Sequence, residues 1–577
     1  MTKYVAVLCL ALFVLIPSSP SPGWGSPTAT TGAPTDTLVI SGQVKNAQGK
    51  GVKEARVKFF LGGQPLETGA EIETSAKGGY RAELTLPQGA LPSAPLEVEA
   101  EKPSFTTQRA PVERVLADPT APGQPSHFLA HQNLLLKRAI TPALWIASLI
   151  LLGVYVLIAL ELMHRTLAAL LGGALLLAIS YTAGVFNPDY FILSFDDAIG
   201  AIDLNVVFLL MGMMIIVGVM KHTGVFQWMA YKSFQVARGN VYALSAVLMC
   251  ITAVASAFLD NVTTMLLIIP VTVEIALTLK INPLTLLMPE VFASNVGGTA
   301  TLIGDPPNIM IGSFAKLSFV DFVSNLGLVC LICLGLTVVY YLVWYRRDYQ
   351  KAKVDDVPRM ISHLRQAFAI TNARLLTYSL IILGMVIGMF VMHGALHMEP
   401  SIAALIGAAV LLVVSRVDIV EMLEQEVEWP TLVFFMFLFV VVAGAEETGL
   451  IQMIANQVQS LSQGSLPLAI VIILWVSAIA SAFIDNIPFT ATMLPIVAYL
   501  NQVIPGAESG ILWWSLALGA CLGGNGTMIG ASANVVTVGL AERAGYAISF
   551  LQYMKAAFLP MLLTLFVATA WLLLVAR

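Results

Sequence analysis

Apolar residues fall into two patterns: short alternating stretches near the start of the chain and long, nearly unbroken runs after it. The long runs lie at about 142–162, 166–184, 204–221, 241–259, 262–279, 285–312 and 321–345. After a charged segment they resume at about 374–393, 400–416, 431–447, 466–484, 487–503, 511–540 and 551–575. A hydrocarbon core about 30 Å thick is crossed by about 20 apolar residues in a helix, so these runs predict an all-α polytopic membrane domain. Ahead of them, LVISGQV, ARVKFFL, YRAELTL and PLEVEAE alternate apolar and polar positions between Gly, Pro and polar clusters. That period of two predicts short antiparallel strands over 36–117, a small extracytoplasmic β-sandwich, with a linker over 118–140.

The chain begins with Lys3 and an apolar run from Tyr4 to Ile16, too short to cross a bilayer, so 1–17 reads as a signal peptide or signal anchor. Either one exports the β-module behind it. Residues 18–35, rich in Pro, Ser and Gly, form a linker.

Composition sharpens the picture. The chain is 57% hydrophobic and 11% charged, with mean hydropathy +0.82, too little charge for a molecule facing water on all sides. A net charge of −5 gives no sign of a nucleic-acid partner; the partners expected are the lipid bilayer, a small ion or solute, and a second copy in a homodimer. Cys330 and Cys333 lie inside an apolar run without flanking ligands, so they read as small residues on one helix face. No nucleophile triad, metal-ligand cluster or nucleotide loop is present, so neither enzyme nor cofactor is expected, only Na⁺ or H⁺ as a coupling ion. The histidines near run ends, His222, His393 and His397, read as solvated.

Self-similarity carries the most information. SAFLDN at 256–261 returns as SAFIDN at 481–486, Pro270 as Pro495 and Thr223-Gly224 as Thr448-Gly449, all at an offset of 225. GGTATLIGDPPNI at 297–309 returns as GGNGTMIGASANV at 523–535, an offset of 226. The membrane domain is therefore two related repeats, 141–350 and 373–577, joined by a segment over 351–372. That segment and its flanks carry Arg346, Arg347, Lys351, Lys353, Arg359, Arg365 and Arg374, which places it in the cytoplasm. Loop 185–203 holds Asp189, Asp196, Asp197 and Asp203 with no Lys or Arg, so it is external. An exported module before the first repeat and a cytoplasmic segment after it require an odd number of crossings. The repeats are then inverted, an architecture common among secondary transporters. The expected location is a cell membrane, spanned many times, and specifically a bacterial inner membrane.

The repeated motifs hold the candidate chemistry. A carboxylate among apolar residues is costly, so Asp260 and Asp485 at the ends of apolar arms mark a functional place. If each pair of arms is a re-entrant hairpin, the tips enter from opposite faces and meet near the midplane; if the arms cross fully, the tips lie at opposite surfaces. Re-entrant hairpins better explain why both repeats hold Asp-Asn. Gly297-Gly298, Gly304 and Pro306-Pro307, with Gly523-Gly524, Gly526 and Gly530, predict a broken helix in each repeat. Such breaks expose carbonyls to cations and helix N-termini to anions. Around them stand neutral oxygens suited to Na⁺: Asn261, Asn308, Asn486, Asn525 and Asn534, with Thr263, Thr299, Thr301, Thr527 and Ser532. Gly298 belongs to the same stretch. Asp305, which aligns with Ala531, is a third ionisable candidate in the first repeat alone. Na⁺ would sit against Asp260, Asn261, Asp485 and Asn486.

These motifs, SAFLDNVTTMLLIIPVTVEIA with GGTATLIGDPPNIMI and SAFIDNIPFTATMLP with GGNGTMIGASANVV, resemble the P protein branch of the ArsB/NhaD ion transporter superfamily, related to citrate and dicarboxylate carriers. The likeness covers nearly all of 140–577. It implies Asp260-Asn261 and Asp485-Asn486 at hairpin tips, with 297–308 and 523–534 as broken-helix partners. Dicarboxylate carriers have Ser-Asn-Thr at these tips; Asp replaces Ser here and the following Thr is absent, which disfavours a dianionic substrate. Residues 36–117 resemble carboxypeptidase-regulatory-like sandwich modules. The function expected is a cation-coupled permease or Na⁺/H⁺ antiporter working by alternating access. The alternatives are an anion permease for arsenite, a small carboxylate or chloride, and a channel-like anion conductance.

Overall fold

The computed structural model describes residues 35–576 except 47–48, 50, 67, 69–70, 88–90, 92–94, 118–126, 353–360, 362–363 and 365–367. The signal or anchor over 1–17, nearly all of the 18–35 linker and much of the inter-repeat segment lie outside the described residues. The chain divides into two compact units between Arg138 and Ala139.

The first unit is a two-sheet β structure. Strand Thr35–Asn46 runs through one sheet, antiparallel to Gly79–Pro87; Arg56–Leu61 and Leu96–Glu101 pair antiparallel in the other. Alternation does the folding: Leu38, Ile40, Val57, Phe59, Leu84 and Val98 point inward and are almost fully buried, while their neighbours face out. The module continues past residue 117. His127–His131 and Leu134–Arg138, which the sequence pattern assigns to a linker, are strands that pair parallel with Thr35–Asn46. The LLLKR stretch abuts the first membrane run, which hides its alternation, yet Leu134 and Leu136 are buried and Leu135 is exposed.

The second unit is all α. Its first repeat contains α1 (Pro142–Ala159), α2 (Arg165–Tyr181), α3 (Leu204–Lys221), α4 (Val225–Ala237), α5 (Val241–Phe258), α6 (Asn261–Thr278), α7 (Leu284–Thr299), α8 (Pro306–Ala315) and α9 (Phe319–Trp344). The second contains α10 (Ala373–Leu396), α11 (Pro400–Ser415), α12 (Trp429–Thr448), α13 (Leu450–Ser462), α14 (Leu466–Phe483), α15 (Asn486–Val503), α16 (Ile511–Gly523), α17 (Ser532–Arg543) and α18 (Phe550–Val575). Among the described residues, 10 helices are long and apolar enough to cross a bilayer.

Each helix has its counterpart one repeat later, and local signals recur with it. Gly224 and Gly449 adopt φ of +76° and +94°, the left-handed turn that ends α3 and α12 and that a β-carbon would strain. Thr223 and Thr448 close the turns by donating their hydroxyls to Met220 O and Gly444 O. A capping box, Ser318 with Asp321, starts α9, and another, Ser549 with Gln552, starts α18. The runs at 285–312 and 511–540 are each broken into two helices, α7–α8 and α16–α17. The halves interlock: α2 packs on α12, α11 packs on α3, α17 lies against α6, and α8 lies against α15. Backbones come very close where the broken helices meet the hairpins. An added β-carbon on Gly297 would collide with the Ala253 backbone, and one on Gly523 with Ala478. Small residues at such crossings let van der Waals contact replace the hydrophobic drive that lipid removes.

Candidate ion site between the hairpin tips

Both hairpins break in the same way. Leu259 and Asp260 are extended (ψ 160° and 151°), as are Ile484 and Asp485 (ψ 140° and 133°), and each Asp caps the returning helix. Asp260 accepts from the Thr263 amide at 2.8 Å and the Thr263 hydroxyl at 2.5 Å. Asp485 accepts from the Ile487 amide at 3.0 Å and from the Ser532 hydroxyl at 3.3 Å. The broken helices restart alike too: Asp305 (φ −146°, ψ 133°) precedes α8 and Ala531 (φ −147°, ψ 143°) precedes α17.

The two tips face one cavity. Asp260, Asn261, Asp305, Asn486 and Ser532 line it, together with Arg165, Glu428 and Thr431, and its free volume is about 20 Å³, room for one water or a monatomic ion. The two repeats, inverted with respect to one another, thus bring re-entrant hairpins together at depth. A second cavity of about 220 Å³ shares Met214 and Glu428 with the first and is bordered by Thr263, Lys221 and Glu426.

Asparagines tie the halves together. Asn261 donates to Asn295 Oδ1 at 3.0 Å, and Asn295 donates to Asn525 Oδ1 at 3.0 Å and Asn534 Oδ1 at 2.9 Å. Asn486 reaches across the repeats to Asp305 Oδ1 at 3.4 Å. Asp305 is 1% exposed, its Oδ2 has no hydrogen-bond partner among the described residues, and the Cys521 thiol lies beside it.

Other candidates serve the backbone rather than the cavity. Asn308 donates to the Thr299 and Thr301 carbonyls at 3.0 and 2.8 Å, and Asn534 to those of Gly524 and Thr527 at 2.8 and 2.9 Å, so these amides hold the helix breaks in place. Thr299 donates to Asn295 O at 2.6 Å, while Thr301 and Thr527 donate to the hairpin carbonyls of Ala257 and Ala482. Gly298 crosses Gly304 with no room for a β-carbon. Elsewhere, His393 is not solvated: it is 7% exposed, with Nδ1 2.7 Å from Phe390 O.

The sequence pattern missed four residues here: Arg165, Glu428, Thr431 and Asn295. Arg165 starts α2 and reaches Ser532 Oγ at 2.6 Å, Asp485 Oδ2 at 3.5 Å and Thr431 Oγ1 at 3.1 Å. Thr431 in turn donates to Glu428 Oε2 at 3.0 Å. In the sequence Arg165, Glu428 and Thr431 are charges and a hydroxyl flanking apolar runs, and Asn295 is a lone amide inside one. The one available signal is electrostatic, since three aspartates in apolar surroundings, two of them buried, call for a nearby cation.

Known proteins resemble this chain in sequence and in fold. A family model described as citrate transporter matches residues 155–519. An uncharacterized transporter of Mycobacterium tuberculosis is 43% identical over 412 residues, covering 71% of this chain and 93% of its own length. The P protein of Homo sapiens is 36% identical over 523 residues, covering 77% of this chain; the match spans 61% of the P protein. The fold resembles that of the YdaH transporter of Alcanivorax borkumensis, with a TM-score of 0.50, 16% identity and coverage of 72% of this chain and 98% of that one. With its two repeats, its paired tips and these relatives, the chain belongs to the citrate transporter family and is a membrane transporter.

Proposed function

We propose that the chain is a cation-coupled secondary transporter that works by alternating access, with Na⁺ or H⁺ bound between the two Asp-Asn tips. The observation that carries this reading is the single small cavity lined by Asp260, Asn261, Asp305 and Asn486 from both repeats. Asp260, Asp305 and Glu428 put three carboxylates on its wall against one guanidinium, so the local balance favours a cation. The adjoining cavity, which shares Met214 and Glu428 with this one and is bordered by Thr263 and Lys221, supports an approach to the tips from that side.

A second reading, an anion moved with the cation, draws on Arg165 and on the N-termini of α6, α8, α15 and α17, which converge on the same place. The test uses purified protein in liposomes with a trapped pH dye and an imposed pH gradient, adding Na⁺, Li⁺ or K⁺ outside. The expected result is a cation-dependent pH change in wild type that Asp260→Asn and Asp485→Asn each abolish at normal protein yield. Full coupled flux in the double variant refutes the site. A flux driven by arsenite, small carboxylates or chloride without any cation response selects the second reading.

A further inference from the structure

The two tips match in backbone and differ in charge. Asp260 meets the hydroxyl and amide of Thr263 and no basic side chain among the described residues. Asp485 has a guanidinium: Arg165 Nη1 lies 3.5 Å from its Oδ2 and 2.6 Å from the Ser532 hydroxyl, which also touches Asp485. Asp305, reached by Asn486 of the second tip at 3.4 Å, has one carboxylate oxygen without a partner among the described residues and 1% of its surface exposed, while its counterpart Ala531 carries no charge. The first repeat therefore presents two aspartates without a basic partner, and the second presents one aspartate already balanced.

Arg165 is also held from the other side. Its Nη2 donates to Thr431 at 3.1 Å and its guanidinium lies 5.3 Å from the centre of the Phe434 ring, both on α12, against which α2 packs. The Arg165 side chain thus joins the α2–α12 pair to the tip of the second hairpin and the start of α17. A guanidinium presents several fixed donors and stays charged, so it can stand where a soluble cation would otherwise be needed.

The geometry points to Arg165 as a tethered cation that neutralises Asp485, so that soluble Na⁺ or H⁺ is taken by Asp260 and Asp305 and not by the second tip's aspartate. This rests on reading the tips as one ion site. It adds that the site is half filled by the protein itself, and that the Arg165–Asp485 contact links the elements that alternate. Without Arg165, Asp485 must draw a proton or soluble cation from the water to remain buried.

The experiment reads the chemistry of Asp485 directly. Dicyclohexylcarbodiimide reacts with carboxyl groups that carry a proton in apolar surroundings, and the labelled peptide is read by mass spectrometry. Purified full-length wild type, Arg165→Gln, Arg165→Lys and Arg165→Gln/Asp485→Asn are labelled at one pH, each checked for a monodisperse elution profile. Labelling at Asp485 is expected to rise about tenfold or more in Arg165→Gln over wild type, to stay low in Arg165→Lys, and to vanish in the double variant. Equal labelling of Asp485 in wild type and Arg165→Gln overturns the proposal. Should Arg165→Gln fail to fold, Arg165→Lys with raised labelling, or wild type labelled at Asp485 as strongly as at Asp260, does the same. Because no transport enters the readout, this result stands apart from the fate of the ion-site reading, which falls if Asp260→Asn retains coupled flux.

Discussion

Asn295 offers the most direct test of how the repeats are joined. It is fully buried on α7, accepts one hydrogen bond from Asn261 and donates one each to Asn525 and Asn534. Asn295→Ala removes all three and strands an amide and two carbonyl oxygens where water has little access. Side-chain hydrogen bonds inside membrane proteins are worth about 0.6 kcal/mol on average, which sets a floor near 2 kcal/mol for three. Leaving buried polar groups unmatched costs about 1–3 kcal/mol each when they find no substitute, so about 2–4 kcal/mol is expected after partial rearrangement. In a unit of this size that amounts to a drop of roughly 2–4 °C in melting temperature, readable by tryptophan fluorescence in detergent. The repeat supplies its own control. Cys521 occupies the equivalent position, and its thiol, a weak donor, lies beside Asp305 and 3.7 Å from Asn308 Oδ1, so Cys521→Ala should cost less than about half as much. A melting curve for Asn295→Ala that superimposes on wild type, or a larger loss in Cys521→Ala, would refute the reasoning.

Two further outcomes come from packing. Asn501, near the end of α15, has both side-chain polar atoms sheltered and without partners among the described residues, so Asn501→Leu should hold or raise the melting temperature; a clear fall would show a missing partner. Gly297→Ala forces a β-carbon into the Ala253 backbone and should destabilise by about 1–3 kcal/mol, seen as a lower melting temperature and loss of flux, whereas Gly335→Ala, with open space around it, should change neither.

How much of this was legible in the chain varies with the kind of signal. The hairpin tips were, because SAFLDN and SAFIDN set an unusual charge at equal places in two apolar contexts. The helix breaks were legible from clustered Gly and Pro. Asn295 was not, since its repeat partner is Cys521 and comparing the halves therefore conceals it. Arg165 was not, because in MHRTL it reads as a basic residue at a membrane boundary; only the folded chain brings it to Ser532, 367 residues away. The roles expected for Asn308, Asn534, Thr301 and Thr527 as open oxygens changed for a related reason. A broken helix leaves its own carbonyls in need of donors, and the nearest side chains supply them. The two strands at 127–138 escaped notice because parallel pairing with a distant strand leaves no turn signal between neighbours.

The exchange of helices between repeats has a consequence for how the protein is made. When α1 to α9 have left the ribosome, α2 lacks α12, α3 lacks α11, and the Tyr155 hydroxyl awaits Pro488 O, 333 residues further along. The nascent first half must then sit in the bilayer with Asp305, Arg165 and Asn295 still lacking the partners that the second half brings. Synthesis of this chain is a period of enforced polarity in lipid, ended by the arrival of α11 to α17. Shelter by the insertion machinery during that interval, and recognition of chains cut off before it closes, would be decided by the same side chains that later hold the ion site.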